Sequence, residues 1–313
     1  MTRIGVIGTG GWGKNHVRVL NELGVLGAIC DLDSARLAAF SEKYHVPGYA
    51  SLDEMLGAQK LDAVTVCTPA STHYAIASKT LERGLHTFVE KPMVTSSQEA
   101  EKLIEVAGRK RRILTVGFIE RFNPPISDLK RRITEGSLGE PILFEFHREN
   151  RRGENVVDVG IVKDASVHDI DTACWLFNEA PRVVFARVGR ILAPLEKEDF
   201  AVIMLGFSGQ KTAFLTTNWV TPNRVRTLTA VFSNGVVDVD FVTQQTMVHE
   251  EGGTTIPTRG IQEPLLLELR EFVLAIDEGR EPLVTGGDGL RATRVAEAVL
   301  ASSSSGTPIY LGK

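Results

Sequence analysis

Gly8, Gly10 and Gly13 stand at the spacing Gly-x-Gly-x-x-Gly, directly after the apolar run Ile4-Gly5-Val6-Ile7. This spacing suits a strand that turns sharply into a helix. One glycine makes the tight turn, one lets backbone approach a pyrophosphate, and one lets the helix pack closely on the strand. Amides at the helix N-terminus, together with the helix dipole, favour the anion. Gly8, Gly10, Gly11, Trp12 and Gly13 therefore form a candidate dinucleotide loop. Asp31 closes the next apolar run. A carboxylate there accepts from both ribose hydroxyls and repels a 2′-phosphate, which favours NAD over NADP. Arg36, one turn into the following helix, keeps NADP open.

Three further groups could carry chemistry. Cys67-Thr68-Pro69 and Glu90-Lys91-Pro92 each end an apolar strand pattern. In open α/β sheets ligands bind beyond the carboxyl ends of the strands, so Thr68, Pro69, Glu90 and Lys91 belong to a ligand rim, with His73 on the helix that follows Pro69. A lysine at a strand end is equally a solvated surface residue, and its Lys-Pro bond is a candidate for the cis form. The third group is Asp164-x-x-x-His168-Asp169-x-Asp171-x-x-x-Trp175. If Asp164 begins a helix, the i, i+4 spacing puts it on one face with His168, with Asp171 one turn on. A carboxylate beside an imidazole fixes its tautomer and raises its basicity. The same pattern also describes a helix cap followed by a buried, hydrogen-bonded histidine.

These residues need elements to hold them. Strand patterns at Arg3–Ile7, Val25–Asp31, Ala63–Thr68, His86–Val89 and Ile113–Gly117 alternate with helical patterns near Lys14–Leu23, Ser34–Tyr44, Ser71–Arg83 and Ser97–Gly108. Continuous apolar strands separated by helices indicate a doubly wound parallel sheet, an α/β domain over residues 1–120. After Asn123-Pro124-Pro125 the rhythm changes to a helix, a strand at Ile142–Arg148, a helix at Val167–Phe177, and strand patterns from Val183 to Val248. Asn234-Gly235 between two of these predicts a type I′ hairpin. Helices near Pro264–Glu278 and Asp288–Ser302 close the chain, so residues 121–313 read as an α+β domain with an open, largely antiparallel sheet. Phe200-Ala201-Val202-Ile203-Met204-Leu205 is apolar at both parities. Either the chain covers both faces of this strand, or a second subunit covers one and the protein is a homo-oligomer, a dimer or tetramer.

Composition narrows the class. A net charge of -4 speaks against a nucleic-acid protein. The runs Arg109–Arg112 and Lys130–Arg132 read as solvated helix ends. No apolar run is long enough to span a membrane, and the N-terminus shows no signal peptide, so a cytoplasmic location is expected. Cys30, Cys67 and Cys174 are spaced for neither a disulfide framework nor a metal site and read as small core residues.

Gly-x-Gly-x-Trp-Gly, Cys-Thr-Pro, Glu-Lys-Pro, Gly117-Phe118 with Arg121-Phe122-Asn123-Pro124, and Asp-x-x-x-His-Asp-Ile-Asp occur in that order between Gly8 and Trp175. In this the chain resembles the glucose–fructose oxidoreductase / inositol dehydrogenase (Gfo/Idh/MocA) family. The resemblance implies a Rossmann domain, then an open-faced sheet domain carrying substrate contacts and subunit interfaces, and NAD(P)-linked chemistry at a sugar or polyol carbinol. It implies that Lys91 is the active-site lysine and that Asp164 and His168 are the catalytic pair. It further implies that Asp171 and His147 hold substrate hydroxyls, with Arg121 and Asn123 in the same substrate set. Many relatives carry a glycine pair just before the Asp, where this chain reads Gly160-Ile161-Val162-Lys163.

Asn218-Trp219-Val220-Thr221-Pro222, followed by Arg224 and Arg226, is similar to a segment of relatives that act on nucleotide-linked sugars. Two arginines after such a turn suit a diphosphate, or are solvated strand residues. The expected substrate is thus a nucleotide sugar such as UDP-N-acetylglucosamine, oxidised at ring carbon 3, with inositol or a free sugar second. A regulator that binds NAD(H) without chemistry is the alternative of a different class.

Overall fold

The computed structural model describes residues 2–151, 158–192, 196–258 and 260–312. Two compact units emerge, Met1–Gly117 with Leu265–Leu290, and Phe118–Pro264 with Arg291–Lys313. The first break falls just ahead of the expected boundary at residue 120. The larger difference is the return of Leu265–Leu290 to the first unit, which a single boundary misses.

In the first unit β1 (Ile4–Ile7), α1 (Gly13–Glu22), β2 (Leu26–Cys30), α2 (Ser34–Tyr44), β3 (Gly48–Tyr49), α3 (Leu52–Ala58), β4 (Ala63–Val66), α4 (Ala70–Glu82), β5 (His86–Val89), α5 (Ser97–Lys110) and β6 (Leu114–Val116) alternate along the chain. The strands lie in the order β3-β2-β1-β4-β5-β6 and pair in parallel. Ile4, Val6, Ala63, Val64 and Val66 are fully buried, as strands covered on both faces require. Strand order reverses between β1 and β4, the switch point at which such sheets bind ligands. The late segment adds to this core. Phe272 packs edge-on to Phe88 at 5.7 Å between ring centres, and Thr115 Oγ1 donates to the Val284 carbonyl at 2.7 Å.

The second unit opens with a 3₁₀ turn at Ile119–Phe122, then α6 (Pro124–Glu135), β7 (Pro141–Glu149), a π-helical turn at Val162–Ser166 and α7 (Val167–Phe177). There follow β8 (Val183–Gly189), β9 (Phe200–Gly206), β10 (Thr212–Asn218), β11 (Val225–Phe232), β12 (Gly235–Asp240), β13 (Gln245–Glu250) and β14 (Gly253–Thr255). Helix α8 (Pro264–Glu278) follows in chain order, α9 (Gly286–Ser305) runs from the first unit's residues into the second's, and β15 (Ile309–Tyr310) ends the chain. The sheet order is β14-β13-β12-β11-β7-β10-β9-β8-β15, antiparallel except for the parallel pair of β7 with β10.

One face of this sheet is packed. Phe144 stacks on Phe177 of α7 at 4.1 Å, and Ser302 of α9 accepts from the Ala186 amide at 3.1 Å. The other face is open. Along β9, Ala201, Ile203 and Leu205 are buried, whereas Met204 is 39% exposed beside Phe185 (42%) and Phe214 (39%), its register partners on β8 and β10. Among the described residues, the two-parity apolar strand is therefore covered on one face only. The expected hairpin forms, but not as a type I′ turn. Phe232 pairs with Gly235, leaving Ser233 and Asn234 as the loop, and neither has the positive φ that type I′ requires. Gly235 is needed for another reason: a Cβ there would lie 2.7 Å from the His249 carbonyl oxygen of β13.

The run Arg109–Arg112 is solvated as expected, with Lys110 meeting Glu82 at 3.0 Å. Lys130–Arg132 is only partly so: Lys130 is half-buried and donates to the Trp175 carbonyl at 2.6 Å, and Arg132 meets the buried Asp128 at 2.8 Å. Cys30 and Cys174 are core residues, and burial, then Asp31 and Glu54, pushes the Cys30 thiol up to about 11.

Candidate active site

The rim residues of the first unit all follow carboxyl ends of strands. Gly8 has φ +85°, a conformation that glycine adopts without penalty, and a Cβ on it would meet the Cys67 carbonyl at 2.8 Å. A Cβ on Gly13 would lie 1.8 Å from the Gly8 carbonyl oxygen, so α1 packs on β1 only with glycine there. Nothing lies within 4 Å of the corresponding position on Gly10. The three glycines thus divide the work as their spacing implied: a turn, an open approach, and a close packing. This cradle at the start of α1 fits a pyrophosphate.

Asp31, at the end of β2, is bound on both oxygens. Oδ2 accepts from the Thr9 amide at 2.6 Å and the Thr9 hydroxyl at 2.8 Å; Oδ1 accepts from the Asp33 amide at 2.9 Å and Arg36 Nη2 at 2.8 Å. Burial by itself would push the carboxyl up, but these donors, Arg36 foremost, hold it well below the usual carboxylate range. The anion expected to repel a 2′-phosphate therefore already carries its own counter-cation. We expect Asp31→Ala, which releases Arg36, to raise the NADP-over-NAD ratio of kcat/KM by roughly tenfold or more, the worth of one charge-assisted hydrogen bond. An unchanged ratio would remove Asp31 from cofactor choice.

Glu90 is not turned to solvent. Its Oε1 accepts from Trp12 Nε1 and faces His16 Nε2, each at 2.9 Å, and its Oε2 accepts from the Lys91 amide at 3.1 Å. One buried carboxylate so ties the glycine loop, helix α1 and the lysine backbone together. Lys91 is half-buried and joined to Pro92 by a cis peptide. Thr72 Oγ1 bonds Thr68 Oγ1 and the Pro69 carbonyl at 2.7 Å each, which shapes the start of α4. His73, expected at the cofactor, directs both ring nitrogens to backbone carbonyls instead.

In the second unit, Asp164 lies in the π-helical turn and His168 in the first turn of α7. The α-helical i, i+4 relation between them is accordingly replaced by a π-bulge, a feature frequent at functional sites. Gly160 and Ile161 lead into this turn, and Val162 and Lys163 begin it. His168 is buried, and its carbonyl accepts from the Thr172 hydroxyl at 2.8 Å.

Four expected substrate residues are engaged elsewhere. Arg121 and Asp171 form a bidentate pair at 2.8 and 2.5 Å with side chains 2% and 1% exposed, so each occupies the other. Asn123 donates to Glu120 and to the Phe241 carbonyl, both at 3.1 Å. His147 alternates with Phe146 and Arg148 on β7, which places it on the open face, away from α7, where Nδ1 lies 3.1 Å from Glu149. Arg224 is exposed in the loop before β11. Asn218 Oδ1 folds that loop by accepting from the Val220 and Thr221 amides at 3.0 and 2.8 Å. Arg226 faces inward opposite Arg148, and burial, then the Arg148 cation, pushes it down to about 10.

Sequence reasoning missed the buried cluster beneath α7. Arg148 binds Asp169 through Nη2 at 2.7 Å and Nε at 3.0 Å, and Glu120 through Nη1 at 3.0 Å. The signal was available: in Phe144-Glu145-Phe146-His147-Arg148 the period of two puts Arg148 on the face of the two phenylalanines.

Two family models match in tandem: an oxidoreductase family with an NAD-binding Rossmann fold over residues 2–118, and the GFO/IDH/MocA C-terminal domain over residues 126–238. The chain belongs to the Gfo/Idh/MocA oxidoreductase family. It is an NAD-binding oxidoreductase, with the doubly wound first unit and mixed second sheet that the family's members share. Among its relatives is the UDP-N-acetylglucosamine 3-dehydrogenase of Acidithiobacillus ferrooxidans, 27% identical over 308 residues and 95% of each chain. That protein's solved structure matches with a TM-score of 0.89 at 25% identity, covering 97% of this chain and 98% of the other. An inositol 2-dehydrogenase of Saccharopolyspora erythraea is 29% identical over 98% of this chain and 95% of its own length. No helix among the described residues is long and apolar enough to cross a membrane.

Proposed function

We propose that this oxidoreductase oxidises a secondary alcohol of a nucleotide-linked sugar, UDP-N-acetylglucosamine at ring carbon 3, with NAD as acceptor. The turn at Asn218–Arg224 carries the substrate reading. It is built by side-chain-to-backbone bonds from Asn218 and presents the exposed guanidinium of Arg224, a planar donor suited to a diphosphate. Similarity to a UDP-N-acetylglucosamine 3-dehydrogenase along nearly the whole of both chains supports the same reading.

Bound NAD would supply the hydride acceptor, held at the glycine cradle, Asp31, Thr68 and Pro69. His168 is the general base that takes the hydroxyl proton, since an imidazole titrates near neutral pH. Asp164 orients it. Lys91, as an ammonium, stabilises the developing alkoxide. Arg121, Asn123 and Asp171 act as positioning residues for α7.

The inositol dehydrogenases among the relatives support a second reading, a free polyol. A panel of UDP-N-acetylglucosamine, inositol and glucose with NAD, followed by absorbance of reduced nicotinamide, separates the two. The nucleotide sugar is expected to lead in kcat/KM, and a lead for inositol would overturn the assignment.

The open sheet face supports a homo-oligomer, because Phe185, Met204 and Phe214 form a contiguous apolar patch that water disfavours. Sedimentation at micromolar concentration should give a dimer or tetramer, and Met204→Glu should lower the mass. A wild-type monomer alone is the contrary result.

A further inference from the structure

His73 is one of the most deeply buried titratable groups outside the proposed proton-transfer set, at 1% exposure on α4. Its Nδ1 lies 2.8 Å from the Pro92 carbonyl oxygen, and its Nε2 lies 2.8 Å from the Thr68 carbonyl oxygen. Carbonyl oxygens accept hydrogen bonds and never donate them. A neutral imidazole has a single N–H; whichever carbonyl it served, its bare nitrogen would press a lone pair against the other. Two contacts of equal and ordinary hydrogen-bond length instead require a hydrogen on each nitrogen. Turning the ring over offers no escape, because carbon atoms would then face both carbonyls.

The two acceptors are not arbitrary. Thr68 ends the segment after β4 and Pro92 directly follows Lys91 after β5, so the ring bridges two neighbouring strand ends of the rim. Each carbonyl dipole points its negative end at the ring, which offsets the cost of burying a cation. The first turn of α4 works in the opposite sense, since a helix N-terminus disfavours positive charge. The carbonyl pair therefore has to hold the charge there.

We propose that His73 is a buried imidazolium that clamps the Thr68 carbonyl to the Pro92 carbonyl and so positions the backbone carrying Lys91. The protonation state is independent of any reaction. Its consequence for turnover rests on the role proposed for Lys91 above.

Nitrogen NMR of the full-length protein with 15N-labelled histidine tests the first half. At neutral pH, the His73 ring should show two protonated nitrogens. Its signals are those lost in His73→Gln. A ring with one protonated and one bare nitrogen overturns the proposal. If His73→Gln does not fold, the wild-type spectrum still decides, because absence of any doubly protonated ring among the seven histidines overturns it equally. For the second half, His73→Leu removes both donors and His73→Gln keeps an amide able to serve one carbonyl. Turnover should fall about 100-fold in the first, the cost of a small misplacement of a reacting group, and be partly rescued in the second. The KM for NAD should change much less than kcat. Equal, unchanged kcat in both variants sinks the positioning role. If Lys91→Met keeps full turnover while the doubly protonated ring is present, the Lys91 assignment has failed and the clamp has not.

Discussion

His168→Ala is expected to lower kcat by about 10²–10⁴-fold, the usual contribution of a positioned general base. Lys91→Met is expected to lower it by about 10²–10³-fold, the cost of deleting one donor to a developing oxyanion. The two losses should not add in the double variant, since groups serving one proton transfer act as a unit. Binding of NAD offers the internal control. The cradle of Gly8, Gly10 and Gly13 and the Thr9–Asp31–Arg36 bonds involve neither side chain, so the dissociation constant for NAD should stay within a few-fold of wild type. Loss of turnover with NAD binding intact is the signature of chemistry removed from a folded protein. Near wild-type turnover in both variants on the true substrate would end the assignment.

The same two residues show how far the sequence reaches. Lys91 could be placed because it ends a strand in a parallel sheet, and strand ends are legible from apolar runs and glycine punctuation. The glycine loop was legible in detail for the same reason: steric need is local, and Gly8 and Gly13 each answer to atoms the fold brings to a fixed place. Polar partnership is not local. Nothing in the spacing of Arg121 and Asp171 reveals that they satisfy each other across 50 residues rather than a substrate. Arg36 was seen near Asp31 along the chain, but that its guanidinium already occupies the carboxylate depends on a side-chain rotamer. The π-helical turn at Val162–Ser166 escaped for a different reason: one extra residue in a helical turn shifts every i, i+4 relation, and hydrophobic periodicity over five residues cannot register it. The return of Leu265–Leu290 to the first unit was hidden likewise, because an amphipathic helix records that it has a core to face and not which core.

The largest stability effect should come from Arg148. Its side chain is 3% exposed and binds Asp169, 2% exposed, and Glu120, 7% exposed. Burial pushes the Asp169 carboxyl up, and Arg148 offsets this only in part; burial works against the Arg148 cation too, but Asp169 and Glu120 together keep it firmly charged. Removing the cation by Arg148→Met leaves two buried carboxyls without their counter-charge. The cost of breaking such a pair is about 3–5 kcal/mol, which for a unit of this size corresponds to a fall in Tm on the order of 10 °C. Arg226, opposite Arg148 across the β7–β11 pair, is pushed down to about 10 by burial and then by the Arg148 cation, and without the Arg148 hydrogen bonds its charge offsets only part of the loss. The double variant Arg148→Met/Asp169→Leu removes both halves of the main pair and should lose less than Arg148→Met alone, because replacing a buried ion pair with apolar side chains is often nearly neutral. If the double variant is instead the less stable of the two, the penalty comes from lost packing around α7 rather than from unpaired charge. Because Asp169 adjoins His168 on α7, the single variant should also lose turnover before it unfolds, and the double variant should recover part of it.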